Sequence, residues 1–235
     1  EAIQNRTRRN EDRFRTQSNR CKAGMRWSTE CWSFKYFRDR VRSIRFQKDN
    51  MDKPWLAQEA VLFLDQWLRP SDRILEFGSG RSTHYFAQKC SRVVSHEHHF
   101  EWANKVSEAI AKKGWTHVSL VHREDERYVS DISDYEDASF DCILVDGVYR
   151  YETFLASIAK VSADGLIIVD NINYFLPGSQ RCPGGKAPGP ADTWDDESKR
   201  WQAAIDALPG PWRQERFCDG VIDTLFLFRG DNRRD

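Results

Sequence analysis

No apolar run among the 235 residues approaches the ~20 residues that a membrane-spanning helix requires. No short apolar core of a signal peptide is visible either. No membrane-spanning helix is therefore expected within these residues. The chain begins at Glu1 rather than Met, so an absent leader does not by itself fix the compartment. Six cysteines (Cys21, Cys31, Cys90, Cys142, Cys182, Cys218) are scattered, with no CxxC and no metal-ligand spacing. That excludes a zinc ribbon and a dense disulfide framework. It points to a reducing, cytoplasmic compartment, since Cys90, Cys142 and Cys218 fall in apolar patterns where buried thiols are common. One sequon, Asn5-Arg6-Thr7, would matter only in the alternative, a secretory lumen. Internal repeats are lacking as well.

Net charge is also lacking, with 36 basic against 36 acidic side chains. The balance conceals an asymmetry. Residues 1–50 hold 14 Lys and Arg against 6 Asp and Glu, a net +8, and the remaining 185 carry −8. What is present in quantity is apolar and aromatic material, 40% and 13% of the chain. A chain of this length and composition can bury one sizeable core. We read residues 1–50 as a basic arm and helix, and 51–235 as one folded domain.

Residues 1–22 have little to bury and are expected to be peripheral. From Met25 onward, Trp27, Cys31, Phe34, Phe37, Val41 and Ile44 recur at helical spacing. Lys35, Arg38, Arg40, Arg42 and Arg45 occupy the other faces. The expected result is a helix packed on the domain by its apolar stripe, with a solvated basic face. The sharper alternative is a surface for an anionic partner such as nucleic acid, phosphate or acidic glycan. No RNA-binding motif accompanies these residues, which argues against nucleic acid.

A helix over 52–68, stopped by Pro70, precedes a strand over 73–77. Helices then alternate with strands: helix 83–89, strand 92–96, helix 100–113 closed by Gly114, strand 117–121. A polar, acidic stretch over 123–137 follows. Strand 141–146 and strand 165–170 are nearly continuous in apolar residues, as strands buried on both faces are, and a helix over 150–161 separates them. After a helix over 198–208, two strands over 212–218 and 221–228 are joined by Asp219-Gly220, a hairpin signal. This alternation implies an α/β fold, a doubly wound, Rossmann-like, mostly parallel seven-stranded sheet with a C-terminal antiparallel hairpin. Residues 177–190 are rich in Gly and Pro and leave the end of the fifth strand, where open α/β sheets bind ligands. They are expected to act as a lid over an acceptor pocket, with Trp55 and Trp194 bordering its mouth.

The stretch Glu76-Phe77-Gly78-Ser79-Gly80 is the centre of the chain. A strand runs into a glycine turn and a helix N-terminus, the arrangement that lets a nucleotide lie against bare backbone. Seventeen residues after Gly80, the second strand ends at Glu97, an acid placed to accept hydrogen bonds from ribose hydroxyls. The flanking His96, His98 and His99 straddle a strand end and point in different directions, so packing is expected of them rather than metal binding.

Together these features resemble the class I S-adenosylmethionine-dependent methyltransferases, over about residues 55–229. The resemblance implies that Glu76, Gly78, Ser79, Gly80 and Glu97 bind S-adenosylmethionine, with Glu124 and Asp125 near adenine. Asp146 after the fourth strand and Asp170-Asn171 after the fifth resemble the metal-dependent, catechol and caffeoyl-CoA type of O-methyltransferase. In that family such residues hold a divalent cation, and Mg²⁺ or Mn²⁺ would suit three oxygen ligands. Turn capping is the plainer reading of the same residues. The family's lysine base is replaced here by Tyr149, followed by Arg150, so Asp146 and Tyr149 are the candidate bases.

The expected function is O-methyl transfer to a small-molecule or glycan hydroxyl, with metal assistance. Two other classes compete. One is a non-catalytic binding module using the basic arm, which the intact loop, Glu97 and Asp146 argue against. The other is a nicotinamide-dependent oxidoreductase, disfavoured because Thr83 stands where GxGxxG needs its third glycine. Assembly into a homo-oligomer is compatible with all three.

Overall fold

The computed structural model describes residues 33–178 and 184–230. The expected arm over residues 1–22, the start of the expected helix from Met25, and the centre of the Gly/Pro-rich segment lie outside the described residues. Helix α1 (Phe34–Asp49) is followed by α2 (Gln58–Trp67), β1 (Arg73–Phe77), α3 (Arg81–Lys89), β2 (Arg92–Glu97), α4 (Phe100–Lys113) and β3 (Val118–His122). Then come α5 (Arg127–Ser130), β4 (Phe140–Val145), α6 (Arg150–Ser157), β5 (Val161–Val169), α7 (Asp196–Asp206), β6 (Trp212–Cys218) and β7 (Asp223–Arg229).

The strands form a single seven-stranded sheet in the order β3-β2-β1-β4-β5-β7-β6. The first five are parallel, and β7 enters antiparallel between β5 and β6. The α/β architecture expected from the alternation is therefore present. The strand order reverses between β1 and β4, which places a topological switch point at the end of β1, where the glycine turn lies.

Period-two alternation sends side chains of each central strand into two cores. Leu75, Phe77, Ile143, Val145, Ile167 and Val169 face one, completed by Tyr128, Phe154 and Trp201. Ile74, Cys142, Leu144, Leu166 and Ile168 face the other, against α2 and α3. Trp201 of α7 is stacked on Phe154 at 5.4 Å between ring centroids and lies 5.2 Å from Phe175.

Several boundaries move for local reasons. The helix expected from Asp52 begins only at Gln58, because Ala57 stays extended (φ −54°, ψ 138°) and its N–H bonds Thr224 Oγ1 instead. Helix α6 stops at Ser157, and the strand expected over 165–170 reaches back to Val161 across a register shift opposite Phe140 and Cys142.

Helix α1 corrects its expected orientation. Phe34, Phe37, Val41 and Ile44 are exposed, Phe34 to 88%, and the buried residues are Asp39 and Ser43. The face that packs is mostly polar, with Phe46 reaching the core at its far end. Asp39 accepts from Lys35 and Arg38 and lies against the β6–β7 turn, so close that a Cβ on Gly220 would sit 2.6 Å from its Oδ2. The far end of α1 is held by the Arg81 guanidinium, which donates to the carbonyls of Gln47, Asn50 and Met51.

Candidate active site

The glycine turn is built for close contact with β4. Gly78 has φ +93°, and a Cβ there would lie 3.0 Å from the Asp146 carbonyl carbon and the Gly147 nitrogen. Gly147 is tighter still, since its Cβ would meet Tyr128 Oη at 1.9 Å. Beside Gly80 there is space: its Cβ would find nothing nearer than the Trp102 indole at 3.8 Å. The turn is fixed by side chains from three elements. Thr83 Oγ1 accepts from Gly80 N at 2.9 Å and donates to Glu76 Oε2 at 2.5 Å. Ser95 Oγ donates to the same Glu76 oxygen at 2.6 Å. Trp102 Nε1 donates to Ser79 O at 2.7 Å.

Four carboxylates gather where β1, β2, β4 and β5 end. Glu76 is fully buried, and its Oε1 has no hydrogen-bond partner. Burial pushes its pKa up to about 7, against the nearby hydroxyls of Ser82, Ser95 and Thr83. Glu97 is also buried, but burial is outweighed there and its pKa is lowered. His98 and His99 N–H donate to Oε1 at 2.9 and 2.8 Å, and Ser79 N and Oγ donate to Oε2, both at 2.9 Å. Asp170, 2% exposed, accepts from Thr224 Oγ1 at 2.7 Å. Burial and the neighbouring Asp146 charge drive its pKa well above the usual carboxylate range. Asp146 keeps a side chain 30% exposed. Burial and the Glu97 charge raise its pKa, against Arg150.

Arg150 opens α6 one helical turn beyond Asp146. Its Nη2 donates to Asp146 Oδ1 at 2.6 Å, to Asp146 O at 2.9 Å and to Asn171 Oδ1 at 3.3 Å. The bend that returns it to Asp146 is made by Tyr149 in the left-handed region, φ 52° and ψ 40°. Asn171 is left-handed too, at φ 52°.

These contacts decide how well the expected ligands fit. Each of the three residues expected to hold Mg²⁺ or Mn²⁺ already has a partner within the chain, and nothing in the site supports the metal expectation. Arg150 engages Asp146 and Asn171, and Thr224 engages Asp170. Among the described residues no group of three His, Cys, Asp or Glu is arranged to hold a metal ion. An adenosylated cation fits better. The space beside Gly80, the unpartnered Glu76 Oε1 and the gathered carboxylates suit a positively charged nucleoside ligand.

The other expected residues are placed as follows. Asp125 is exposed and occupied by Arg127, whose backbone N–H it accepts at 3.0 Å and whose side chain it pairs with at 2.9 Å, so it serves its own turn. Glu124 likewise faces solvent near His122. Tyr149 leans on Tyr128, and burial together with the charges of Glu152, Asp125 and Glu126 raises its pKa, the wrong direction for a base. His96 is buried on Tyr135 Oη at 2.8 Å, its pKa pushed down to about 4 by burial, and His99 caps α4, which agrees with packing roles. Trp55 is 57% exposed, and Trp194 Nε1 donates to Gly189 O. Of the Gly/Pro-rich segment, the two shoulders are tied down. Arg216 donates to the Leu176 and Pro177 carbonyls, and Lys186 N donates to Asn173 O.

Four contributors were not expected from the sequence: Thr83 as a link between loop and strand, Trp102, Tyr128 and Gly147. Only Gly147 carried a signal, a glycine directly after a strand-ending Asp.

No protein-family model matches the sequence, and no curated protein matches it. Solved structures do match. A candidate caffeoyl-CoA O-methyltransferase from Staphylococcus aureus aligns with a TM-score of 0.56 at 15% identity, over 79% of this chain and 90% of that one. A candidate rRNA methylase from Clostridium thermocellum gives 0.52 at 9% identity, over 74% and 96%. A candidate methyltransferase from Streptococcus mutans in complex with SAH gives 0.51 at 10% identity, over 72% and 94%. The chain has the class I S-adenosylmethionine-dependent methyltransferase fold. In this methyltransferase fold the glycine turn, the acid ending β2 and the β1/β4 switch point lie together at the carboxyl ends of the central strands. Among the described residues no helix is long and apolar enough to cross a membrane.

Proposed function

We propose that the chain transfers the methyl group of S-adenosylmethionine to an oxygen of a small-molecule or glycan acceptor. The observation that carries this reading is the cluster of Glu76, Glu97, Asp146 and Asp170 around a backbone turn with open space at Gly80. Carboxylates crowded in this way resist full ionisation, and Arg150 pairs with only one of them, so further positive charge is favoured there. A sulfonium nucleoside supplies it, and the neutral demethylated product supplies less.

Residues in Glu76-Phe77-Gly78-Ser79-Gly80 would hold the cofactor, with Glu97 beside the ribose. S-adenosylmethionine supplies a methyl carbon whose C–S bond breaks as a C–O bond forms to the acceptor. Asp146 Oδ2, which makes no hydrogen bond among the described residues, would take the proton from the acceptor hydroxyl. A base near neutrality needs a raised carboxylate pKa, the direction found for Asp146. The chain's remaining task is alignment.

A second reading has its own support. Helix α1 presents Phe34, Arg38, Arg42 and Arg45 along one groove, and aromatic and arginine side chains together suit single-stranded RNA. An RNA acceptor would use that face.

The test is calorimetric titration of S-adenosylmethionine and its demethylated product. Transfer of labelled methyl to phenols, sugars and RNA is then measured on the same preparation. Binding of the cofactor, weakened by Glu97→Ala, is expected, and label should enter hydroxyl acceptors. No binding of either nucleoside at millimolar concentration overturns the reading. Label in RNA alone selects the second one.

A further inference from the structure

Asp146, Asp170 and Asn171 come from the ends of adjacent strands, and the side-chain oxygens of Asp146 and Asn171 meet a positive group that the chain itself provides. Arg150 Nη2 bonds both Asp146 Oδ1 and Asn171 Oδ1, and its side chain is 16% exposed. We propose that the Arg150 guanidinium stands where a divalent cation would otherwise sit, so that this site works with a built-in counterion and takes up no metal.

Three features support the assignment. First, a cation in the first turn of α6 opposes the helix dipole, which disfavours it there; the contact with Asp146 offsets that. Second, the backbone bends to make the contact. Tyr149 adopts a left-handed conformation uncommon for a non-glycine residue, and it does so between Asp146 and Arg150. Third, one Nη2 reaches both the carbonyl and the carboxylate of Asp146, which a flexible ammonium would not reproduce with the same geometry. Arg150 is thus a positioning residue. It fixes the Asp146 rotamer through Oδ1, leaves Oδ2 without a hydrogen bond, and orders the Asn171 amide.

The inference concerns the site of the proposed methyl transfer, but its test needs no acceptor. Mn²⁺ is titrated into the full chain and followed by electron paramagnetic resonance. Wild type is expected to bind no Mn²⁺ specifically below millimolar concentration. Arg150→Ala frees the oxygens of Asp146 and Asn171 and leaves two crowded carboxylates, so it should gain one site at least tenfold tighter than wild type. Adding Asp170→Asn should remove that site. Arg150→Lys restores a charge and should suppress the gain, which a purely structural role for Arg150 would not predict. If Arg150→Ala fails to fold, Arg150→Gln and the wild-type titration decide the question. A tight, Asp170-dependent Mn²⁺ site in wild type overturns the proposal, as does a folded Arg150→Ala or Arg150→Gln that gains none. S-adenosylmethionine calorimetry on the same samples separates failure of this inference from failure of the methyl-transfer reading.

Discussion

Glu76 offers the sharpest test of the charge argument. Its carboxyl is fully buried, accepts from Thr83 and Ser95 through Oε2, and leaves Oε1 unpartnered. The folded pKa of about 7 exceeds the ordinary value of 4.5. The sign follows directly. Between those values the folded chain holds a proton that the unfolded chain has released, so stability falls as pH rises through this window. Each unit is worth about 1.4 kcal/mol, which makes the loss between pH 5 and pH 8.5 about 2–3 kcal/mol. Glu76→Gln keeps an oxygen for the two hydroxyls and removes the charge. Urea unfolding of both proteins at pH 5 and pH 8.5 gives a double difference in which other titrating groups cancel. The variant should lose less stability than wild type over that range, by about 2–3 kcal/mol. A double difference near zero would falsify the placement of an ionisable, unpaired carboxylate under the turn. The same group predicts linkage to the cofactor. Binding of cationic S-adenosylmethionine should release protons near pH 7, seen as a buffer-dependent calorimetric enthalpy.

The two turn glycines should separate. Gly80→Ala has room for its Cβ and should keep the wild-type melting temperature while weakening S-adenosylmethionine affinity at least tenfold; unchanged affinity would remove the cofactor from that space. Gly78→Ala carries a left-handed φ and a crowded Cβ, and thermal unfolding should show a loss of about 1–3 kcal/mol. Glu97→Ala releases Ser79 and the start of α4 together, so both stability and cofactor affinity should fall by about 1–3 kcal/mol, by denaturant titration and calorimetry. Trp201→Ala empties the stack on Phe154 and Phe175 and should cost about 3–5 kcal/mol, with cofactor affinity retained in whatever fraction stays folded.

Much of the fold could be read from residue order because its signals are local. Apolar runs at Ile74–Phe77 and Cys142–Val145 and the Asp219-Gly220 turn each declare an element within a few residues. The glycine turn was legible for the same reason, since strand, Gly-Ser-Gly and helix are contiguous. What escaped notice depends on contacts distant in sequence. Thr83 looked like a defect in a glycine pattern, yet its hydroxyl joins Gly80 N to Glu76, a link visible only once α3 lies over β1. Trp102 carries no mark in the sequence, yet its indole N–H holds the Ser79 carbonyl. Helix α1 misled for the opposite reason. Its periodicity was real, but Asp39 and Arg81 decide which face meets the domain, and neither effect is written in the spacing of the apolar residues.

The metal expectation meets the same boundary between spacing and conformation. An Asp after one strand and Asp-Asn after the next constrain where three oxygens start, because strand ends are fixed by the sheet. They do not say which cation balances them. That depends on whether the residue four positions after the first Asp can turn back, which requires Tyr149 to leave the ordinary backbone regions and Arg150 to enter a helix at its unfavourable end. With Lys at 149, as in the resembled family, the cation sits one residue nearer Asp146 in the chain. Exchanging the pair, Tyr149→Lys with Arg150→Ala, moves the positive charge by one residue while keeping the carboxylates. The left-handed bend then has no guanidinium to serve. Whether such a chain takes up Mn²⁺ therefore depends on the reach of one side chain, not on the three oxygens that first suggested a metal.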